Sequence, residues 1–149
     1  MRSHTHETKG FSILEALLSV AIIVIIAAIM VPIYYSTQSR NDLEVAANAV
    51  VQSLRRAQAL SEASQNDGTW GVSVATGSIT LFKGTTYAAR DTAYDEISDM
   101  AGNITYSGAG ETVFTKMYGL PLSTGTLTLS IPVGETKIIT INSKGMVDF

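Results

Sequence analysis

Residues 9 to 35 read KGFSILEALLSVAIIVIIAAIMVPIYY, and past Lys9 they hold one charged side chain, Glu15. Between Glu15 and Arg40 lie 24 residues without a formal charge. As a helix that stretch would span ~36 Å at about 1.5 Å per residue, enough to cross the hydrocarbon core of a bilayer. Nothing else in the chain constrains its fold so tightly, because such a segment is stable only in lipid or among like helices. Glu15 is the anomaly. An acidic residue at the centre of a membrane helix costs roughly 2.5–3.5 kcal/mol, and a place near the helix end softens that cost without removing it.

The preceding ten residues, MRSHTHETKG, are polar and carry Arg2 and Lys9. Basic residues before an apolar run hold that end in the cytoplasm, which sends the rest of the chain outward. A secretory signal would have a shorter apolar core followed by a small-residue cleavage site. Here Pro32, Tyr34 and Tyr35 follow instead, so the segment reads as retained. The composition is 46% hydrophobic and 15% charged, and much of the apolar excess lies between Phe11 and Tyr35. A net charge of -3 gives no general pull toward nucleic acid. The chain has no cysteine, which excludes disulfides, thiolate metal sites and cysteine nucleophiles.

The KG pair, the following Phe11, the glutamate at a fixed offset and the uninterrupted apolar run resemble the prepilin N-terminal motif. That motif belongs to type IV pilins and type II secretion pseudopilins. The resemblance implies cleavage between Gly10 and Phe11 by a prepilin peptidase, with N-methylation of Phe11. It also implies that Glu15 pairs with the terminal amine of a neighbouring subunit, and that Pro32 matches the family's proline near the far end of the membrane segment. The implied partners are copies of the chain or other pilins, the peptidase, an inner-membrane assembly platform and the membrane itself. The implied location is the inner membrane as a single-pass precursor, then a periplasmic or extracellular filament.

Physical chemistry gives these residues matching reasons. Glycine at the scissile bond leaves the backbone open to a protease. The new amine at Phe11 and the carboxylate of Glu15 are each costly to bury alone and less costly as a pair. Two plainer readings are an ordinary signal-anchor with a chance glutamate, and a carboxylate that snorkels to the headgroups. Pro32 removes the helical bond to the Ala28 carbonyl and should kink or loosen the helix. No glycine lies between Phe11 and Pro32 to extend such melting.

From Ser39 the pattern becomes an amphipathic helix. Leu43, Ala47, Val50, Leu54, Ala57 and Leu60 recur at spacings of three and four, with most charges off that stripe. The turn-rich SQNDG at 64 to 68 stops it. This predicts one helix over about 11 to 65. Beyond it, TWGVSV and SITLFKG read as a hairpin about Thr76-Gly77, with Trp70, Val72 and Val74 on one face. Further strands are expected in NITYS, TVFTKMYG, TLTLSI and TKIITIN, closed by GMVDF, with turns at Pro132 and Gly134-Glu135. The expected class is α+β: a long N-terminal helix packed on a C-terminal antiparallel sheet or small sandwich. Its divisions are a leader at 1–10, an anchor and assembly helix at 11–38 and a globular head at 39–149. The helix-then-sheet order, GTTYAARDTAYDEI and the ending TKIITINSKGMVDF resemble GspH/FimT-like pseudopilins and minor pilins.

Chemistry-bearing clusters are few. His4 and His6 both sit in the leader, so no Ser/His/Asp set is available to the rest. No glycine-rich phosphate loop opens a helix, and no cofactor is expected. Asp91, Asp95, Glu96 and Asp99 are oxygen ligands of the kind calcium takes, but they match no EF-hand spacing and Arg90 competes as a partner. They are read as a solvated loop. Some FimT-like pilins bind DNA through basic C-terminal residues; here Lys137 and Lys144 are offset by Glu135 and Asp148. The expectation is a non-enzymatic filament subunit. The alternative is a membrane-tethered binding module, such as a DNA-binding minor pilin for uptake or adhesion.

Overall fold

The structure, a computed structural model, describes residues 11–132 and 134–148, apart from the side chains at 31 and 32. The leader, with Gly10, His4 and His6, lies outside the described residues. The chain divides into two compact units, with the boundary between Thr37 and Gln38. One long helix, α1 (Ile13–Glu62), crosses that boundary, and it continues through position 32. The expected start at Phe11 and end at Gln65 were each a few residues too generous.

In the second unit α1 packs against β-structure. Leu43, Ala47, Val50, Leu54 and Ala57 are buried at the expected spacings, and Leu60 is half-buried. Ala46 and Val51 widen the stripe. The helix stops because the chain turns left-handed: Ser64, Asn66 and Asp67 have φ of 49°, 54° and 56°. Asparagine and aspartate tolerate that conformation better than most residues. A single 3-10 turn, Gln65–Asp67, follows.

Among the described residues eight strands follow: β1 (Trp70–Ala75), β2 (Ser78–Lys83), β3 (Asp91–Asp99), β4 (Thr105–Gly108), β5 (Glu111–Phe114), β6 (Gly125–Ser130), β7 (Thr136–Ile141) and β8 (Val147–Asp148). They form two antiparallel four-stranded sheets, ordered β3-β2-β1-β5 and β4-β6-β7-β8. The fold class is therefore α+β, as the patterning predicts. Ala75 pairs with Ser78, so the first hairpin turns on Thr76-Gly77, where Gly77 has φ 86°. Trp70, Val72 and Val74 share the buried face of β1. Leu127 and Leu129 of β6 and Ile139 and Ile141 of β7 join them and the helix stripe in one core.

Two local expectations are corrected. TVFTKMYG is not one strand: β5 ends at Phe114, and the Thr115 amide bonds the Leu120 carbonyl to close a turn. Met117 (φ 70°) and Gly119 (φ 59°) are left-handed there, and the Met117 amide donates to the carbonyl of Ser61. The acidic stretch is not a loop either. Asp91 to Asp99 is β3, an edge strand paired with β2. The high Asp and Glu content hides its strand character from propensity, because those residues are depleted in strands except at edges, where charge blunts unwanted pairing.

Candidate functional site

The first candidate site is the first part of α1. Ser12 starts the helix: its hydroxyl oxygen accepts from the Leu14 amide at 3.3 Å and its carbonyl from the Ala16 amide at 3.1 Å. Two hydroxyls along this part of the helix are turned back on the backbone. Ser19 donates its hydroxyl to the Glu15 carbonyl at 2.8 Å, and Thr37 donates to the Ile33 carbonyl at 3.1 Å. Hydroxyls bonded in this way present no unmet donor to an apolar surrounding.

Every described side chain from Phe11 to Met30 is exposed, with Phe11 at 80% and Leu14 at 76%. This part of the helix is apolar on all sides. A helix of that kind is made for lipid or for a bundle of similar helices, not for water. α1 is long and apolar enough to cross a membrane. Glu15 sits in its first turn, where a carboxylate is favoured by the helix dipole, and one turn along the sequence from Phe11. Tyr34 and Tyr35 follow the run with their rings edge to face at 6.3 Å. Of the predicted processing and assembly residues, Phe11 and Glu15 are placed near the start of the helix. Position 32 lies within it, and Gly10 lies outside the described residues.

The second candidate was the acidic stretch. A strand sends alternate side chains to opposite faces, so Glu96 is set apart from Asp95 and Asp99, and arginines engage two of the four carboxylates. Asp95 pairs with Arg90 at 2.8 Å on one face, and Glu96 pairs with Arg56 of α1 at 2.7 Å on the other. Among the described residues no group of three histidine or carboxylate side chains is arranged to hold a metal ion. The bond from Asp95 holds the Arg90 guanidinium above its ordinary range. Arg90 also lies 3.8 Å over the ring of Tyr87, which meets Phe82 edge to face.

The tail lysines do not form one basic patch, because Lys137 is engaged with Glu44 at 2.6 Å. That hydrogen bond, with the lysine's charge behind it, holds Glu44 below the usual carboxylate range. A bond from Lys116 does the same for Asp67.

Two features escaped the sequence reading. Ser61 is fully buried, and its hydroxyl oxygen accepts from the Trp70 amide at 2.9 Å, tying the end of α1 to the start of β1. Gly71 leaves the space that the buried Phe82 ring fills. Ser61 carries no sequence signal, since it reads as one more polar residue near a helix end. Gly71 could have been suspected, because an isolated glycine inside a strand pattern marks a close approach. No protein-family model matches the chain, and no solved structure matches it.

Proposed function

We propose that this chain is a structural, non-enzymatic subunit of a type IV pilus-like or type II secretion pseudopilus filament. The observation that carries the reading is the exposed, all-round apolar start of α1, with Glu15 as its one carboxylate, in a chain whose second unit has a core of its own. A prepilin peptidase cuts between Gly10 and Phe11, and the new terminus is methylated. The apolar helix first anchors the subunit in the inner membrane with its N-terminus in the cytoplasm. It then moves into a bundle of like helices, and because both surroundings are dry the transfer exposes no apolar surface to water.

Glu15 acts as a docking charge in this scheme. In lipid the carboxylate is a liability, whereas in the bundle it meets the Phe11 amine of an adjacent subunit. The test is the intact mass of protein recovered from sheared filaments. The expected species lacks Met1 to Gly10 and carries one methyl group at Phe11. Filaments built from uncut chains, or cut chains that never enter filaments, would refute the reading.

A further inference from the structure

Between the second half of α1 and β3 runs a groove whose walls are mostly neutral and polar, and it holds two cavities. The larger, of about 290 Å³, is lined by Gln65, Asn66, Trp70 and Tyr94. The smaller, of about 190 Å³, is lined by Gln52, Ser53, Leu81 and Ser98. Arg56 and Glu96 line both cavities and pair with each other at 2.7 Å, so their charges cancel. Asp95, which also borders the larger cavity, is engaged by Arg90 at 2.8 Å. The groove therefore carries no unmatched charge among its lining residues.

What it does carry is unused hydrogen-bonding capacity beside an aromatic ring. The side chains of Gln52, Ser53, Gln65, Asn66 and Ser98 have no hydrogen-bond partner among the described residues. Each of these amides and hydroxyls can both donate and accept. Trp70 is buried, donates its indole N–H to the Gln65 carbonyl at 3.1 Å, and meets Tyr94 edge to face at 6.0 Å. Tyr94 itself stays 36% exposed. Lys83 lies 4.5 Å over that ring but lines the neighbouring cavity, not this one.

We infer that this groove binds a neutral oligosaccharide, with one sugar ring against Tyr94 and the next beside Gln52 and Ser98. A sugar ring presents hydroxyls that donate and accept at once, together with a face of C–H groups that rests on an aromatic ring. The groove offers the complement of both, an aromatic surface and a few convergent polar groups. Each cavity has room for one such ring. An anionic ligand would find Arg56 already paired, and a cationic one would find Glu96 the same. A peptide would need apolar recesses for its side chains, whereas Leu81 is buried and Leu60 half-buried in the walls. This inference does not depend on the filament reading.

The test follows one signal. Trp70 is the only tryptophan of the chain, so its indole N–H, bonded at the edge of the larger cavity, gives a single resonance in a nitrogen-proton spectrum. The full chain is held in a polyoxyethylene detergent, which has no sugar headgroup, and titrated with maltose, cellobiose, lactose and chitobiose. Glucuronate and a blocked Gly-Ser-Asn-Gly peptide serve as the charged and peptide controls. The expected result is a saturable shift of the indole signal with at least one disaccharide and with neither control. Tyr94→Ala should weaken that binding about tenfold, while Tyr94→Phe keeps the ring and should leave it nearly unchanged. Gln52→Ala, in the other cavity, should weaken it about threefold. No shift with any of the four sugars would overturn the inference. So would an equal shift with either control, or undiminished binding by Tyr94→Ala or Gln52→Ala. The titrations of the unmodified chain decide the matter even where a variant fails to fold.

Discussion

Replacing Gly71 by alanine puts one methyl group where the structure leaves no room for it. A Cβ at that position would stand 2.8 Å from Cζ of Phe82, 2.8 Å from the carbonyl oxygen of Thr112 and 2.9 Å from Cγ2 of Val113. The two side chains cannot easily give way, since Phe82 is fully buried and Val113 nearly so. The carbonyl is less free still, because β5 is held in register with β1 at Gly71↔Val113 and Val72↔Thr112. Overpacking of this kind costs ~1–3 kcal/mol. Alanine also restricts the unfolded chain more than glycine does, which returns roughly 0.4–1 kcal/mol. The net loss of about 1–2 kcal/mol should lower Tm by roughly 4–8 °C for a domain of this size.

The assay is thermal unfolding of the fragment 38–149 followed by circular dichroism, with two glycine controls. Gly102→Ala meets nothing within 4 Å and should leave Tm nearly unchanged. Gly77→Ala also meets nothing but forces alanine to φ 86°, so it isolates backbone strain from crowding. An unchanged or raised Tm for Gly71→Ala would refute the close packing described around Gly71. A fragment with no cooperative transition would refute the self-sufficiency of the second unit.

Other expectations follow from the same contacts. Ser61→Ala removes the acceptor for the Trp70 amide and should cost about 1–3 kcal/mol in denaturant unfolding, whereas Ser61→Thr should keep part of the bond. Glu44 and Asp67 have folded-state pKa values below their ordinary ones, each held by a lysine. Their contribution is complete above the ordinary carboxylate range and is lost as pH falls through the lowered values. The double variant Glu44→Gln, Asp67→Asn should therefore lose stability at roughly pH 7 and show a smaller further loss on acidification to roughly pH 3 than the parent does. An equal acid response in both chains would remove these pairs as its source. Substituting Gly10 by a bulky residue should trap the uncut chain in the membrane fraction, read as a mass that still includes the leader.

The α+β layout was legible because its signals are periodic. Leu43 to Ala57 at helical spacing, and Trp70, Val72 and Val74 at strand spacing, each declare one buried face. The Thr76-Gly77 hairpin was legible for a different reason, since glycine supplies the positive φ that a two-residue turn requires. What stayed hidden depends on partners far along the chain. The strand from Asp91 to Asp99 has no apolar alternation to show, because its carboxylates meet Arg90 and Arg56 or face solvent. The turn after Phe114 depends on a bond to Ser61, more than fifty residues earlier. Two sheets were among the expected layouts, as a small sandwich, but which strands share a sheet was out of reach, since strand order is set by long-range pairing that local pattern does not encode.

For the candidate site the balance is reversed. The apolar run and its lone carboxylate are properties of contiguous sequence, and the structure adds the continuous helix and the exposure of all its sides. The acidic residues show the limit of composition. Four oxygen ligands within nine residues suggest a cation site only until the fold sets Glu96 on the other face, against Arg56, and pairs Asp95 with Arg90.

The role of Glu15 is the central claim, and a fractionation of Glu15→Val tests it most directly. The substitution removes the one charge in the apolar run, so membrane insertion should hold or improve. Cleavage between Gly10 and Phe11 should also persist, because the scissile bond does not use that carboxylate. Entry into filaments should collapse, since the Phe11 amine would have to be buried without its partner. Breaking a buried ion pair in this way costs about 3–5 kcal/mol, more than about a hundredfold in an assembly equilibrium. The measurement compares the cleaved membrane-bound pool with the sheared-filament pool, with wild-type chain present as competitor. The account predicts a variant that is cut, retained in membrane and nearly absent from filaments. Incorporation equal to that of the competing wild-type chain would contradict it.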